Sequence, residues 1–142
     1  MNLTKNKKNY VDSITRNFLN GDRDSSIIKL KDYVSENSDD LVARYNLGFF
    51  YQEVNKLDQA VNEYENVLKK NKKHWETLSN LGFICFRKRQ YEKSNFYHSK
   101  VLEVKDNYQP SIRDIGTNNL MLGNYKIAEK FLEKALKLNP VD

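Results

Sequence analysis

Histidine, cysteine and carboxylate side chains are the usual makers of metal sites and nucleophile–base pairs. This 142-residue chain has two histidines, His74 and His98, and one cysteine, Cys85. The histidines are 24 residues apart, which matches none of the short ligand spacings of zinc sites. Cys85 is flanked by Ile84 and Phe86, the setting of a small core hydrophobe rather than of an activated thiol. A single cysteine cannot form an intrachain disulfide, in keeping with a reducing compartment. None of the five glycines belongs to a glycine-rich phosphate loop. Asp39-Asp40 reads as the end of a loop capping the helix that follows. The expectation is a chain that is not an enzyme and carries neither metal nor cofactor.

The glycines have another use. Gly48, Gly82 and Gly116 recur at intervals of 34 residues, preceded by Leu47, Leu81 and Ile115. In the same register stand the small residues Ala60, Ser94 and Ala128, then Tyr64, His98 and Leu132, then Val67, Val101 and Ala135. A weaker copy precedes them, with Ile14 at the glycine site, Ser26 at the small site, and Leu30, Tyr33 and Val34 beyond. A fixed period of this length marks a repeat architecture. The frames are 7–40 (degenerate), 41–74, 75–108 and 109–142, after a tail of residues 1–6.

Within each frame the apolar spacing is helical. Leu41, Tyr45, Leu47, Phe50, Tyr51 and Val54 follow an i, i+3, i+4 rhythm, as do Leu57, Ala60, Val61, Tyr64, Val67 and Leu68. Asn55-Lys56 breaks the two runs, as Gly123-Asn124 does in the last frame. Each frame is therefore a pair of antiparallel helices, with the glycine allowing close approach and the small residue expected to meet it from the other helix.

This pattern resembles the tetratricopeptide repeat, whose signature is W-x2-L-G-x2-Y, then A-x3-F, then A and P. The second frame reads Arg44-Tyr45-Asn46-Leu47-Gly48-Phe49-Phe50-Tyr51 with Ala60 and Tyr64, and the fourth has Ile115-Gly116, Ala128, Leu132, Ala135 and Pro140. The tryptophan site is occupied by Arg44, Leu78 and Ile112, and the closing proline survives only as Pro140. The resemblance implies an all-α, right-handed α-solenoid of about four helix-turn-helix repeats. It also implies that the first helix of each repeat lines a concave groove that holds a partner peptide or helix.

The groove positions carried over from the family are Tyr45, Phe49, Gln52 and Glu53 in the second frame, with Val42 beside them. The third frame supplies Ser79, Phe83, Phe86 and Arg87, and the fourth Arg113, Thr117 and Leu120. Phe49, Phe83 and Phe86 are large aromatics for a solvated groove, and exposed apolar clusters tend to mark interaction sites. Arg87 and Arg113 could pair with carboxylates. The expected partner is a protein segment with apolar anchors and some acidic character. The alternative is that the aromatics pack on one another or on the N-terminal segment. The two-carboxylate clamp of chaperone-binding relatives is absent, because its lysine and asparagine sites fall on Tyr45 and Phe49.

Composition sets the remaining expectations. The formal charge is +5, and Lys69-Lys70-Asn71-Lys72-Lys73 is a basic run. Without interleaved aromatics that run reads as solvated surface, so nucleic acid is a disfavoured partner. A mean hydropathy of −0.81 and the lack of a long apolar run exclude a membrane helix, and the expected location is cytoplasmic. Little sequence follows Leu138-Asn139-Pro140, so a capping helix is not expected. That leaves self-association through the C-terminal end, or a structural role in a larger assembly, as the competing function.

Overall fold

The computed structural model describes residues 3–139; Pro140, the closing proline of the repeat signature, lies outside them. Among the described residues there are eight helices and no strand: α1 (Leu3–Leu19), α2 (Arg23–Glu36), α3 (Leu41–Glu53), α4 (Leu57–Lys70), α5 (Trp75–Arg87), α6 (Tyr91–Val104), α7 (Gln109–Met121) and α8 (Tyr125–Leu138). They fall into two compact units, Met1–Lys70 and Asn71–Asp142. In the first unit α1 packs on α2, α2 on α3 and α3 on α4; in the second α5 packs on α6, α6 on α7 and α7 on α8.

The turns inside the helix pairs obey one rule. Gly21, Asn55, Arg89 and Gly123 have φ of 106°, 61°, 59° and 78°, and these positions are 34 residues apart. Each closes its helix with the same two bonds. For Asn55 they are its own N–H to Gln52 O at 3.0 Å and Lys56 N–H to Tyr51 O at 2.8 Å. Arg89 and Gln90 repeat them onto Phe86 and Cys85, and Gly21 and Asp22 onto Phe18 and Asn17. This left-handed cap satisfies carbonyls that a helix end leaves bare. Gly21 and Gly123 adopt it without strain, whereas Arg89 holds a conformation that costs a side-chain-bearing residue about 1 kcal/mol.

The junctions between frames are periodic as well. Asp40, His74 and Tyr108 each precede a helix, and each sends its N–H back to the carbonyl three residues earlier. Asp40 Oδ1 accepts from Ala43 N at 3.0 Å, and His74 Nδ1 accepts from Thr77 N at 3.3 Å. Asp40 is thus the N-cap that the Asp-Asp pair suggested. Its other oxygen accepts from Tyr33 Oη at 2.8 Å, which ties α2 to the start of α3.

Packing within each pair is organised by the glycines. A Cβ placed on Gly48 would lie 2.6 Å from the Tyr64 ring, one on Gly82 2.6 Å from His98 Nε2, and one on Gly116 2.8 Å from Leu132. The side chain lying over each glycine is the one four residues beyond the small site. Ala60, Ser94 and Ala128 are wholly buried, and Ser94 meets its glycine as expected, its Oγ donating to Gly82 O at 2.8 Å. Phe18 stacks on Phe50 with centroids 3.8 Å apart and forms the floor of the first unit.

Gly82→Ala should destabilise the chain by about 1–3 kcal/mol in urea unfolding, because the new methyl and the His98 ring claim the same space. Arg89→Gly should be neutral or stabilising by up to about 1 kcal/mol.

Candidate functional site

The second unit contains a cavity of about 270 Å³ bounded by Phe83 and Phe86 of α5, His98 of α6, and Arg113, Asp114 and Thr117 of α7. Three consecutive helices supply it, so it depends on α6 being held against both α5 and α7. Gly82 fixes the α5–α6 approach beneath the His98 ring. Across the α6–α7 seam, Asn118 Nδ2 donates to Ser94 Oγ at 2.9 Å and to Asn95 Oδ1 at 2.8 Å. These buried bonds are costly to leave half made, so they pin the register of the seam.

The side chains present both apolar and polar surface. Phe83 is 46% exposed, whereas His98 is 1% exposed. His98 Nδ1 lies 3.0 Å from Ser111 Oγ, and its Nε2 makes no hydrogen bond. Burial pushes the His98 pKa down from its ordinary 6.5, against the upward pull of the Asp114 carboxylate, so the ring is neutral at pH 7. Asp114 Oδ1 accepts from Arg113 Nε at 3.0 Å and from Arg113 Nη2 at 2.9 Å. Asp114 Oδ2 faces His98 Nε2 at 3.7 Å. Thr117, which also lines the cavity, donates from Oγ1 to Arg113 O at 3.1 Å.

Of the residues expected from the sequence, Phe83, Phe86, Arg113 and Thr117 come together here. Arg87 stands close by, its guanidinium 6.0 Å from the Phe83 ring centroid. Ser79 is partly exposed on α5 and Leu120 is 48% exposed on α7, and neither bounds the cavity. Tyr45, Phe49, Gln52 and Glu53 belong to α3 of the first unit. There Tyr45 packs on Tyr64 at 5.8 Å, Phe49 lies 6.5 Å from Phe18, Gln52 Oε1 accepts from Tyr64 Oη at 3.1 Å, and Glu53 is exposed.

His98 and Asp114 are site residues that the sequence reading did not select. The available signal was the repeat itself, which puts an imidazole where the other frames carry Tyr64 and Leu132. Elsewhere, burial pushes the Cys85 thiol pKa up, which disfavours the reactive thiolate. Among the described residues no group of three or more His, Cys, Asp or Glu could hold a metal ion, and no helix is long and apolar enough to cross a membrane. The face of Trp75 is covered by Lys105 Nζ at 3.9 Å, so it is not an open platform for a base.

A chain of paired helices with a fixed period belongs to the helical-repeat class, and comparison with known proteins shows which repeats it resembles. The family model for the tetratricopeptide repeat matches residues 41–74 and 117–142. A solved structure of a tetratricopeptide repeat protein from Parabacteroides merdae superposes with a TM-score of 0.87 at 21% identity, covering 96% of this chain and 54% of that one. A crystal structure of MamA gives 0.83 at 20% identity, covering 94% and 81%. MamA from Desulfovibrio magneticus RS-1 gives 0.85 at 18% identity, covering 94% and 76%. No curated protein matches the sequence. The chain thus carries tetratricopeptide-repeat sequence at residues 41–74 and 117–142 and shares the all-α repeat fold of these structures.

The depressed His98 pKa makes stability depend on pH. Below 6.5 the unfolded chain takes up a proton that the folded chain refuses, so stability is complete above that pH and falls as the pH drops through it. The slope cannot exceed about 1.4 kcal/mol per pH unit for one proton. Urea unfolding at pH 7 and 5.5 should show this loss in the wild type and not in a His98→Leu/Ser111→Ala variant.

Proposed function

We propose that the chain is a non-catalytic adaptor that holds a segment of a partner protein at the Phe83–Phe86 cavity. Its repeats are the four frames 7–40, 41–74, 75–108 and 109–142. The observation that carries the reading is the half-exposed Phe83 beside a cavity walled by a second phenylalanine and backed by a buried polar side chain. Binding hot spots combine an apolar anchor pocket with a few placed polar groups, and this cavity has both. At about 270 Å³ it suits one anchoring side chain rather than a whole small-molecule ligand. Arg87 and Arg113 at the rim and a chain charge of +5 favour a segment with acidic residues beside the anchor. Arg113 already binds Asp114, so an acidic partner competes for it.

A second reading has its own observation. Helix α8 exposes Tyr125 at 68%, Ile127 at 48%, Leu136 at 57% and Leu138 at 42%. Large exposed apolar residues on one helix fit self-association or burial against a neighbouring subunit.

A pull-down from native lysate with wild type and Phe83→Ala/Phe86→Ala separates the two readings. Under the adaptor reading the helical but doubly truncated variant loses at least about 2 kcal/mol of binding, roughly thirtyfold, and fails to retain the partner. Retention by both proteins, together with a mass that rises with concentration, would favour association through α8.

A further inference from the structure

We infer that the cavity selects a tyrosine side chain of the partner segment, with the phenol hydroxyl accepting from His98 Nε2–H and donating to Asp114 Oδ2. This rests on the adaptor reading and names the anchor it calls for.

The floor of the cavity holds a donor and an acceptor that do not satisfy each other. His98 Nε2 is buried and makes no hydrogen bond, and a buried polar group left unpaired is expensive. Asp114 Oδ2 lies 3.7 Å from it, beyond the 2.7–3.2 Å range of an N–H···O bond. The carboxylate does not simply swing across, because Arg113 grips its other oxygen with two N–H groups at 3.0 and 2.9 Å. Atoms 3.7 Å apart are close enough to share one hydroxyl oxygen, which reaches the buried Nε2 as the lining side chains shift to admit it.

The tautomer sets which groups qualify. With the proton on Nδ1, the Nε2 lone pair would face the Asp114 carboxylate, acceptor against acceptor. With the proton on Nε2, the carboxylate is attractive and the Ser111 hydroxyl donates to Nδ1 across 3.0 Å. The second arrangement leaves Nε2–H as a donor and Asp114 Oδ2 as an acceptor for a ligand. The occupant must accept from Nε2–H and donate to a carboxylate, which a hydroxyl does. A carboxylate would be repelled by Asp114, and an ammonium has nothing to offer Nε2–H. The apolar body is set by Phe83 and Phe86, which line the cavity and favour an aromatic ring in offset or edge contact. Tyrosine meets both demands, and a site built for a hydroxyl rejects the analogue lacking it because its own groups are left unpaired.

The test uses the full chain labelled with 15N-histidine, which contains only two histidines to assign. N-acetyl-tyrosine amide, N-acetyl-phenylalanine amide and N-acetyl-lysine amide are titrated in turn. The tyrosine amide is expected to bind about tenfold tighter than the phenylalanine amide, to shift the His98 Nε2 resonance and to leave that of His74 in place. His98→Leu/Ser111→Ala installs the leucine of the next repeat over Gly82 and removes the hydroxyl that would lose its partner, so it should fold. It is expected to bind the two aromatic amides equally. Equal binding of both by the wild type would overturn the hydroxyl inference and leave the aromatic site standing. Preference for the lysine amide would overturn the tautomer and with it the inference. Binding of none of them would remove both the inference and the placement of the site.

Discussion

Each well-formed helix pair closes at one point, where a glycine on its first helix lies beneath a large side chain of its second. Gly48 lies under Tyr64, Gly82 under His98 and Gly116 under Leu132, at distances that leave no room for a Cβ. Close-packed interiors transmit such a constraint outward. The approach fixes how far apart the two helices run, and so where the left-handed turn must fall. The turn residues follow the glycines at a constant interval: Asn55 after Gly48, Arg89 after Gly82 and Gly123 after Gly116. That an arginine accepts this conformation shows how strongly the packing dictates the turn.

The same contact carries the variable chemistry of the repeat. Where Tyr64 lies over its glycine, the ring is completed by a hydroxyl bonded to Gln52 Oε1. Where Leu132 does so, the contact is wholly apolar. His98 brings a ring with two nitrogens into that buried place, one bonded to Ser111 and the other left facing Asp114. This places a polar edge beside a cavity lined by phenylalanines, at a cost in stability that grows as the pH falls.

Much of the fold was legible before any coordinates, because glycine spacing and helical apolar rhythm are both one-dimensional signals. The turn at Gly123-Asn124 could be read for the same reason, since glycine and asparagine announce a positive φ. Arg89 could not, as nothing in an arginine signals one, and only the period implies it. The site was half legible. Phe83, Phe86, Arg113 and Thr117 came from family groove positions taken one at a time. The pairing of His98 with Asp114 escaped that procedure because it joins a second helix to the first helix of the following frame. Spacing pointed to the small residue as the glycine's partner and was silent on the larger side chain one turn further on, since both lie on the same helix face four residues apart.

The central claim is that a partner segment occupies the Phe83–Phe86 cavity. The most direct measurement is site-specific photocrosslinking in native cells, with a benzoylphenylalanine at Thr117 and, as a control, at the exposed Ile28 of α2. The account predicts a discrete protein adduct from position 117 and none from position 28. Adducts from position 28 with none from position 117 would contradict it and place the working surface elsewhere on the molecule.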